Sequence, residues 1–231
     1  MQVQPSFYET LLQQPLFQGL GSNDLIEIVS KVKIHFQKFT AGNIIHLETD
    51  ACRNLLFLLK GELKVSHTST NKRIIFTELW KAPTVIGVES IFGVSQYHNR
   101  TYVAETDIQT LTINKEFITQ MLLNYDVFRF NLLNMLSTRV QRSDRMLWET
   151  PALSLTRRFQ QICQHNFTLP SGKKEILGKM VDLSVYVNAT RLNLSRTLNL
   201  FEKEGILTLE RKRITIPQFE NLIHFVQEHD N

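Results

Sequence analysis

Cysteine is scarce in this chain, long apolar runs are missing, and neither sign of charge dominates. Each shortage excludes something. Cys52 and Cys163 are the two cysteines among 231 residues. They have neither the spacing of a metal site nor enough partners for a disulfide framework, so both read as reduced thiols of a cytoplasmic protein. The apolar runs are short, as at Leu55–Leu59 between Asn54 and Lys60, well under the roughly 18 residues that a membrane span requires. Met1-Gln2-Val3-Gln4-Pro5 lacks the basic start and apolar core of a secretory signal. No membrane partner is expected. What is present, 42% hydrophobic and 21% charged residues, suits one large folded domain or two small ones with separate cores.

The net charge of +4 is unevenly placed. Residues 1–150 carry 15 Lys and Arg against 14 Asp and Glu, whereas residues 151–231 carry 11 against 8. A surplus of this size matters only where its cations cluster on particular elements.

Helical spacing opens the chain over residues 7–32, where Ser22-Asn23-Asp24 forms a capping run ahead of Leu25, Ile28, Val29 and Val32. From about Ile34 to Ile113 the pattern changes to short strands, at 44–47, 55–59, 63–65, 74–76 and 111–113. Gly42, Gly61, Asn71 and Asp107 part them. Such strands fit a double-sheet jelly roll or a barrel, and their spacing does not choose between the two.

After Phe117 the helical period returns. Residues 126–150 can run as one helix of about 25 residues, about 37 Å long, which Pro151 ends or bends. Phe130, Leu133, Val140 and Leu147 fall near heptad spacing with Leu136 on the same side, and Asn134, Ser137 and Asp144 dilute the stripe. Apolar residues on more than one face suit a helix packed on its own domain and on a second copy, so a homodimer is expected. Beyond Ala152 come a helix over about 153–165, a loop at Pro170-Ser171-Gly172, a helix near 178–186, a turn at 187–189 and a helix from Thr190. The expected divisions are 1–125, 126–150 and 151–231.

The densest signal is this last helix. Thr190 suits an N-cap, and Gly205 the left-handed position that follows a helix end. Between them Leu194, Thr197, Leu198 and Phe201 share one face, while Arg191, Leu192, Ser195, Arg196 and Asn199 share the other. The first set buries the helix. The second offers guanidiniums, an amide and a hydroxyl, and an arginine that takes O6 and N7 of a guanine gives about 1–3 kcal/mol of discrimination. The alternating hairpin that follows is tipped with Arg211-Lys212-Arg213. Those cations, with Thr190, suit phosphate contacts that add affinity and little sequence information. Helix, turn, helix and basic hairpin in that order point to double-stranded DNA.

Helix, turn, Thr190-Arg191-Leu192-Asn193-Leu194-Ser195-Arg196, then Phe201-Glu202-Lys203-Glu204-Gly205-Ile206 and a hairpin resemble the winged helix-turn-helix of the CRP/FNR superfamily. The order of parts is similar over nearly the whole chain. The resemblance implies an α+β architecture: an N-terminal β jelly roll of cyclic-nucleotide-binding type, a long dimerisation helix and a C-terminal winged helix-turn-helix. It implies that Arg196 reads a guanine, that Ser195-Arg196 matches the Ser-Arg pair of FNR-type members, and that Arg191 contacts base or phosphate. Leu192 departs from the glutamate common at its position. The resemblance further implies a dimeric transcription regulator, not an enzyme. It would place residues 190–203 of each subunit in one major groove of a pseudo-palindromic operator, contact RNA polymerase, and switch by reorientation about a hinge at Pro151.

In the sensing part, Gly61-Glu62-Leu63 resembles the glycine between strands, and Val85-Ile86-Gly87 the approach to a phosphate cassette. Gly87 with Arg100-Thr101 is similar to the phosphate cradle, and Ser143 to the hydroxyl that meets adenine. Several departures count against cyclic AMP. Val88 stands where an acid would hold the ribose, and Glu89 comes one residue late, pointing the other way if the chain is extended. The Gly87–Arg100 spacing is long, Ala82-Pro83-Thr84 replaces a Pro-Gly-Asp turn, and Asp144 lies beside Ser143. The effector site is degenerate, and cyclic AMP is not its expected ligand. An iron–sulfur cluster needs several cysteines where only Cys52 is at hand. Haem would draw an axial ligand from His35, His46, His67, His98 or a methionine. The effector's identity stays open.

A second class is a cupin-like metal enzyme or ligand-binding jelly roll without specific DNA readout. His46 and Glu48 would share a strand face, with His35 or His67 joining them. No ligand cluster and no nucleophile with an aligned base is recognisable, so catalysis is not expected.

Overall fold

The computed structural model describes residues 7–31 and 35–229, so the helix end expected at Val32, the strand start at Ile34 and the N-terminal run 1–5 lie outside the described residues. The first elements are α1 (Phe7–Leu12), α2 (Ser22–Lys31), β1 (His35–Phe39), β2 (Ile44–His46), β3 (Asn54–Lys60), β4 (Glu62–Thr68) and β5 (Ile74–Lys81). β6 (Thr84–Ile86), β7 (Thr101–Ala104), β8 (Ile108–Asn114), α3 (Lys115–Gln120) and α4 (Asp126–Trp148) follow. The chain ends with α5 (Leu155–Asn166), β9 (Lys174–Gly178), α6 (Met180–Tyr186), α7 (Arg191–Lys203), β10 (Thr208–Glu210), β11 (Arg213–Ile216) and α8 (Phe219–His229). These elements form two units. One takes the chain up to Leu63 with Trp80–Arg145, and the other takes Lys64–Leu79 with the chain from Met146 onward.

In the first unit β1, β8, β3 and β6 form an antiparallel sheet, and β2 pairs with β7 through a register shift. The run Leu55–Leu58 is continuously apolar because both faces of β3 are covered. Leu55 and Phe57 join Leu11, Phe17, Leu111, Phe128 and Leu132 in one core, and Leu56 and Leu58 are equally buried on the opposite face. The helical stretch expected from residue 7 is two helices, the second starting at the capping run Ser22-Asn23-Asp24, with Pro15, Gly19 and Gly21 between them. β1 escaped the strand pattern because it is almost wholly exposed and lacks alternating burial.

The second unit gathers the winged helix-turn-helix and the body of the β4–β5 hairpin. β5, β9, β11 and β10 are successive antiparallel neighbours. Ile74 and Phe76 pack with Phe159, Phe167, Ile176, Leu198, Phe201 and Phe219. The helix expected near 178–186 begins at Met180, because residues 174–178 pair on both edges and form a strand. At the centre lies a buried ion pair. Lys174 Nζ donates to Glu78 Oε2 at 2.9 Å, and the amides of Thr168 and Leu169 donate to the two carboxylate oxygens, each at 2.9 Å. Both side chains are sealed from solvent. Phe167 and Phe219 face the ammonium, with ring centroids 5.5 and 5.9 Å from it. Burial pushes the Glu78 carboxyl up, but Lys174 and the two amides outweigh it and hold it below its ordinary value.

The segment around Pro151 is not a free hinge. Ala152 N donates to Gln161 Oε1 at 2.9 Å, Gln161 Nε2 donates to Glu149 Oε1 at 2.9 Å, and His165 Nε2 lies 2.8 Å from Glu149 Oε2. Proline stops the helix as expected, yet α5 holds the linker.

Candidate nucleic-acid interface

Three local devices present the outer face of α7. The Thr190 hydroxyl accepts from Asn193 N at 3.2 Å and caps the helix. Gly205 takes φ +71° after its end, where a side chain would be strained. Leu194, Leu198 and Phe201 are fully buried beneath it. The other face therefore points outward: Arg191, Leu192, Arg196 and Asn199 are exposed and Ser195 half-buried. Leu192 is 61% exposed, an apolar patch among polar neighbours.

The wing is attached to this helix. Leu209 N donates to Glu202 Oε1 at 2.8 Å, joining β10 to the last turns of α7. Arg211, Lys212 and Arg213 at the β10–β11 turn are all exposed. Arg158 is a positioning residue that sequence reading missed. Its guanidinium donates to the carbonyls of Ala152 (3.1 Å), Leu153 (3.0 Å) and Asn188 (2.6 Å). It thereby ties α5 to the turn between α6 and α7, where Asn188 has φ +50°. Nothing in the local pattern of α5 marks this role, because its partners are up to 30 residues away.

The residues expected around an effector are dispersed differently. Gly87 takes φ +95°, and a Cβ there would lie 2.9 Å from Cys52 Sγ. Val88 and Glu89 follow it in a turn closed by Ser90 N and Ile91 N donating to Gly87 O, so the extended geometry expected for them is corrected. Val88 points into the hydrophobic core. Glu89 points to Arg139 of α4, and the two half-buried side chains form an ion pair. Thr101 Oγ1 accepts from Glu48 N at 3.1 Å, Arg100 is half-buried, and Ser143 and Asp144 are exposed on α4.

Residues 36–125 match the cyclic nucleotide-binding domain family. Over 213 residues, 87% of this chain and 90% of its relative, the sequence is 24% identical to the global nitrogen regulator of Synechococcus elongatus. The chain thus carries a domain of the cyclic nucleotide-binding family and is similar over most of its length to a global nitrogen regulator. The catabolite activator protein of Thermus thermophilus has a similar fold, with a TM-score of 0.52 at 17% identity over 93% of this chain and 99% of that one. So does the c-di-GMP responsive global regulator CLP of Xanthomonas campestris, with a TM-score of 0.50 at 16% identity over 85% and 99%.

The candidate histidines do not converge on one site. β2 ends at His46, so Glu48 falls in a loop and the shared strand face expected for the pair does not form. His46 stacks on His98 with ring centroids 4.3 Å apart. Burial, then the neighbouring His46, pushes His98 down to a pKa of about 4. His35 is exposed on β1, and His67 lies 3.1 Å from Asn166 Oδ1 in the other unit. Among the described residues no three His, Cys, Asp or Glu side chains gather as metal ligands, and no helix is long and apolar enough to cross a membrane.

Proposed function

We propose that this chain is a CRP/FNR-type transcription regulator that acts in the cytoplasm as a homodimer, placing α7 of each subunit in one major groove of a pseudo-palindromic operator. The observation that carries this reading is the capped α7 helix, with Arg191, Leu192, Arg196 and Asn199 turned outward beside a basic wing turn. Arg196 reads a guanine, Arg191, Ser195 and Asn199 contact neighbouring bases, and Thr190, Arg211, Lys212 and Arg213 contact phosphates. Leu192 offers a thymine methyl an apolar partner where a glutamate would accept from cytosine, so the operator differs there from that of glutamate-bearing relatives. Bound beside a promoter, the dimer meets RNA polymerase.

Dimerisation rests on an exposed stripe along α4. Phe130, Leu133, Val140 and Leu147 are 60%, 51%, 66% and 81% exposed, with Leu136 half-buried beside them. Four large apolar side chains at spacings of three and seven suit a parallel helix pair. Val140→Glu is expected to shift the protein to monomer in sedimentation equilibrium and to abolish tight binding to a two-half-site duplex. A dimer that persists in the variant with operator affinity unchanged would remove α4 as the interface.

The effector is a compound other than cyclic AMP. Val88 is committed to the core and Glu89 is turned to Arg139, so neither supplies the acid that would hold a ribose. Whatever binds can shift DNA affinity only through different affinities for two arrangements of the dimer. Reorientation about Pro151 requires that the bonds from Gln161 and His165 to Glu149 be broken or carried along.

A further inference from the structure

The cationic surface around the wing includes a turn from the N-terminal half of the sequence. β9 is paired with β5 on one edge and β11 on the other. At its end Gly178 is in register with Ile74, and its amide donates to Lys212 O at 3.0 Å. The β4–β5 turn and the wing turn therefore flank Gly178-Lys179 from opposite sides. They line a cleft of about 870 Å³ with Lys72, Arg73, Lys179, Arg211, Lys212 and Arg213. The single carboxylate on that lining, Asp182, accepts from Arg73 Nη1 at 3.1 Å.

The two turns share a second feature. Lys72 has φ +56° and Lys212 has φ +63°, left-handed backbone that glycine adopts at lower cost than any residue with a Cβ. Both side chains are exposed, so packing does not account for a lysine at either tip. A charge held at a backbone-strained position is characteristic of a binding function. The cleft is wide, open and cationic, which suits a polyanionic backbone better than an apolar ligand.

We propose that Lys72 and Arg73 of the β4–β5 turn bind the sugar-phosphate backbone of the same duplex that the wing touches, with Lys179 bridging the two turns. The inference rests on the DNA-binding reading and extends the backbone-binding surface beyond the helix-turn-helix and its wing. These cations meet phosphate, so they add affinity to every duplex and specificity to none.

The test is the salt dependence of binding by the full-length chain to labelled operator and random duplexes, for the wild type, Lys72→Ala, Lys72→Gly and Arg211→Ala. Each phosphate-binding cation removed is expected to flatten the slope of log affinity against log salt by about 0.9, and each substitution removes two from the bound dimer. The fall in affinity between 50 and 200 mM salt then shrinks by about 3.5-fold per cation removed, equally on operator and random DNA. Lys72→Gly should give the same change with a melting temperature no lower than that of the wild type. An unchanged slope in both Lys72 variants, with Arg211→Ala flattened, overturns the proposal and leaves the wing's role intact. An unchanged slope in all three variants overturns the wing's role as well. Loss of inorganic pyrophosphate binding in Lys72→Ala without any change on DNA would make the cleft a small-anion site and also overturn the proposal.

Discussion

Lys174→Met is expected to destabilise the second unit by about 3–5 kcal/mol at neutral pH, the typical cost of leaving a buried charge without its partner. The substitution keeps an unbranched chain between Phe167 and Phe219, so little of the loss comes from packing. What it removes is the cation that offsets burial of the Glu78 carboxylate, which keeps the amides of Thr168 and Leu169. In the wild type the Glu78 pKa is held below the ordinary glutamate value. Its stabilisation is therefore complete above that value and lost as pH falls through the lowered folded pKa. In the variant burial is no longer outweighed, the carboxyl moves up, and protonation relieves the deficit. The gap between the two melting temperatures should thus be widest at pH 7 and above and narrow in acid. The double variant Glu78→Gln with Lys174→Met should recover part of the loss. A Lys174→Met variant within about 1 kcal/mol of the wild type at pH 7 would contradict a partnered carboxylate at this site, since such losses reach about 3 kcal/mol or more.

Arg196→Ala carries the second large effect. The guanidinium is exposed on the outer face of α7, where a bidentate contact to guanine is worth about 1–3 kcal/mol. A two-fold symmetric site engages it twice, so the operator should lose about 2–6 kcal/mol. On random duplexes the loss should be small, because nonspecific binding rests on phosphate contacts that this variant keeps. Competition titration of operator against random DNA gives the ratio directly. Equal losses on both would make Arg196 a phosphate ligand and move base reading to Arg191, Ser195 and Asn199.

Helix α7 was legible in the sequence because its determinants are local. Thr190, Gly205 and the alternation of Leu194, Leu198 and Phe201 with outward polar residues all lie within sixteen positions, and the structure uses each in the expected role. Length and end of α4 were legible for the same reason, the helix stopping at Trp148 ahead of Pro151. Features that depend on distant partners were not. β9 contains Lys174, which reads as a polar loop residue until Glu78, 96 positions earlier, is placed beside it. The allegiance of residues 64–79 to the second unit follows from Ile74 and Phe76 packing under α5 and α7, which no local pattern announces. In the first unit, Gly87 is marked only by its likeness to a phosphate cassette, and the pairing of Glu89 with Arg139 spans 50 residues and replaces the geometry expected from extended chain.

The most direct test of the central claim is selection of genomic DNA fragments by the purified full-length chain at physiological salt, with and without the small-molecule fraction of a cell extract. The regulator is expected to enrich a two-fold symmetric motif with half-site centres about 34–36 Å apart, and Arg196→Ala is expected to lose that enrichment. Retention of all fragments alike by the wild type under both conditions would contradict sequence-specific regulation by this chain.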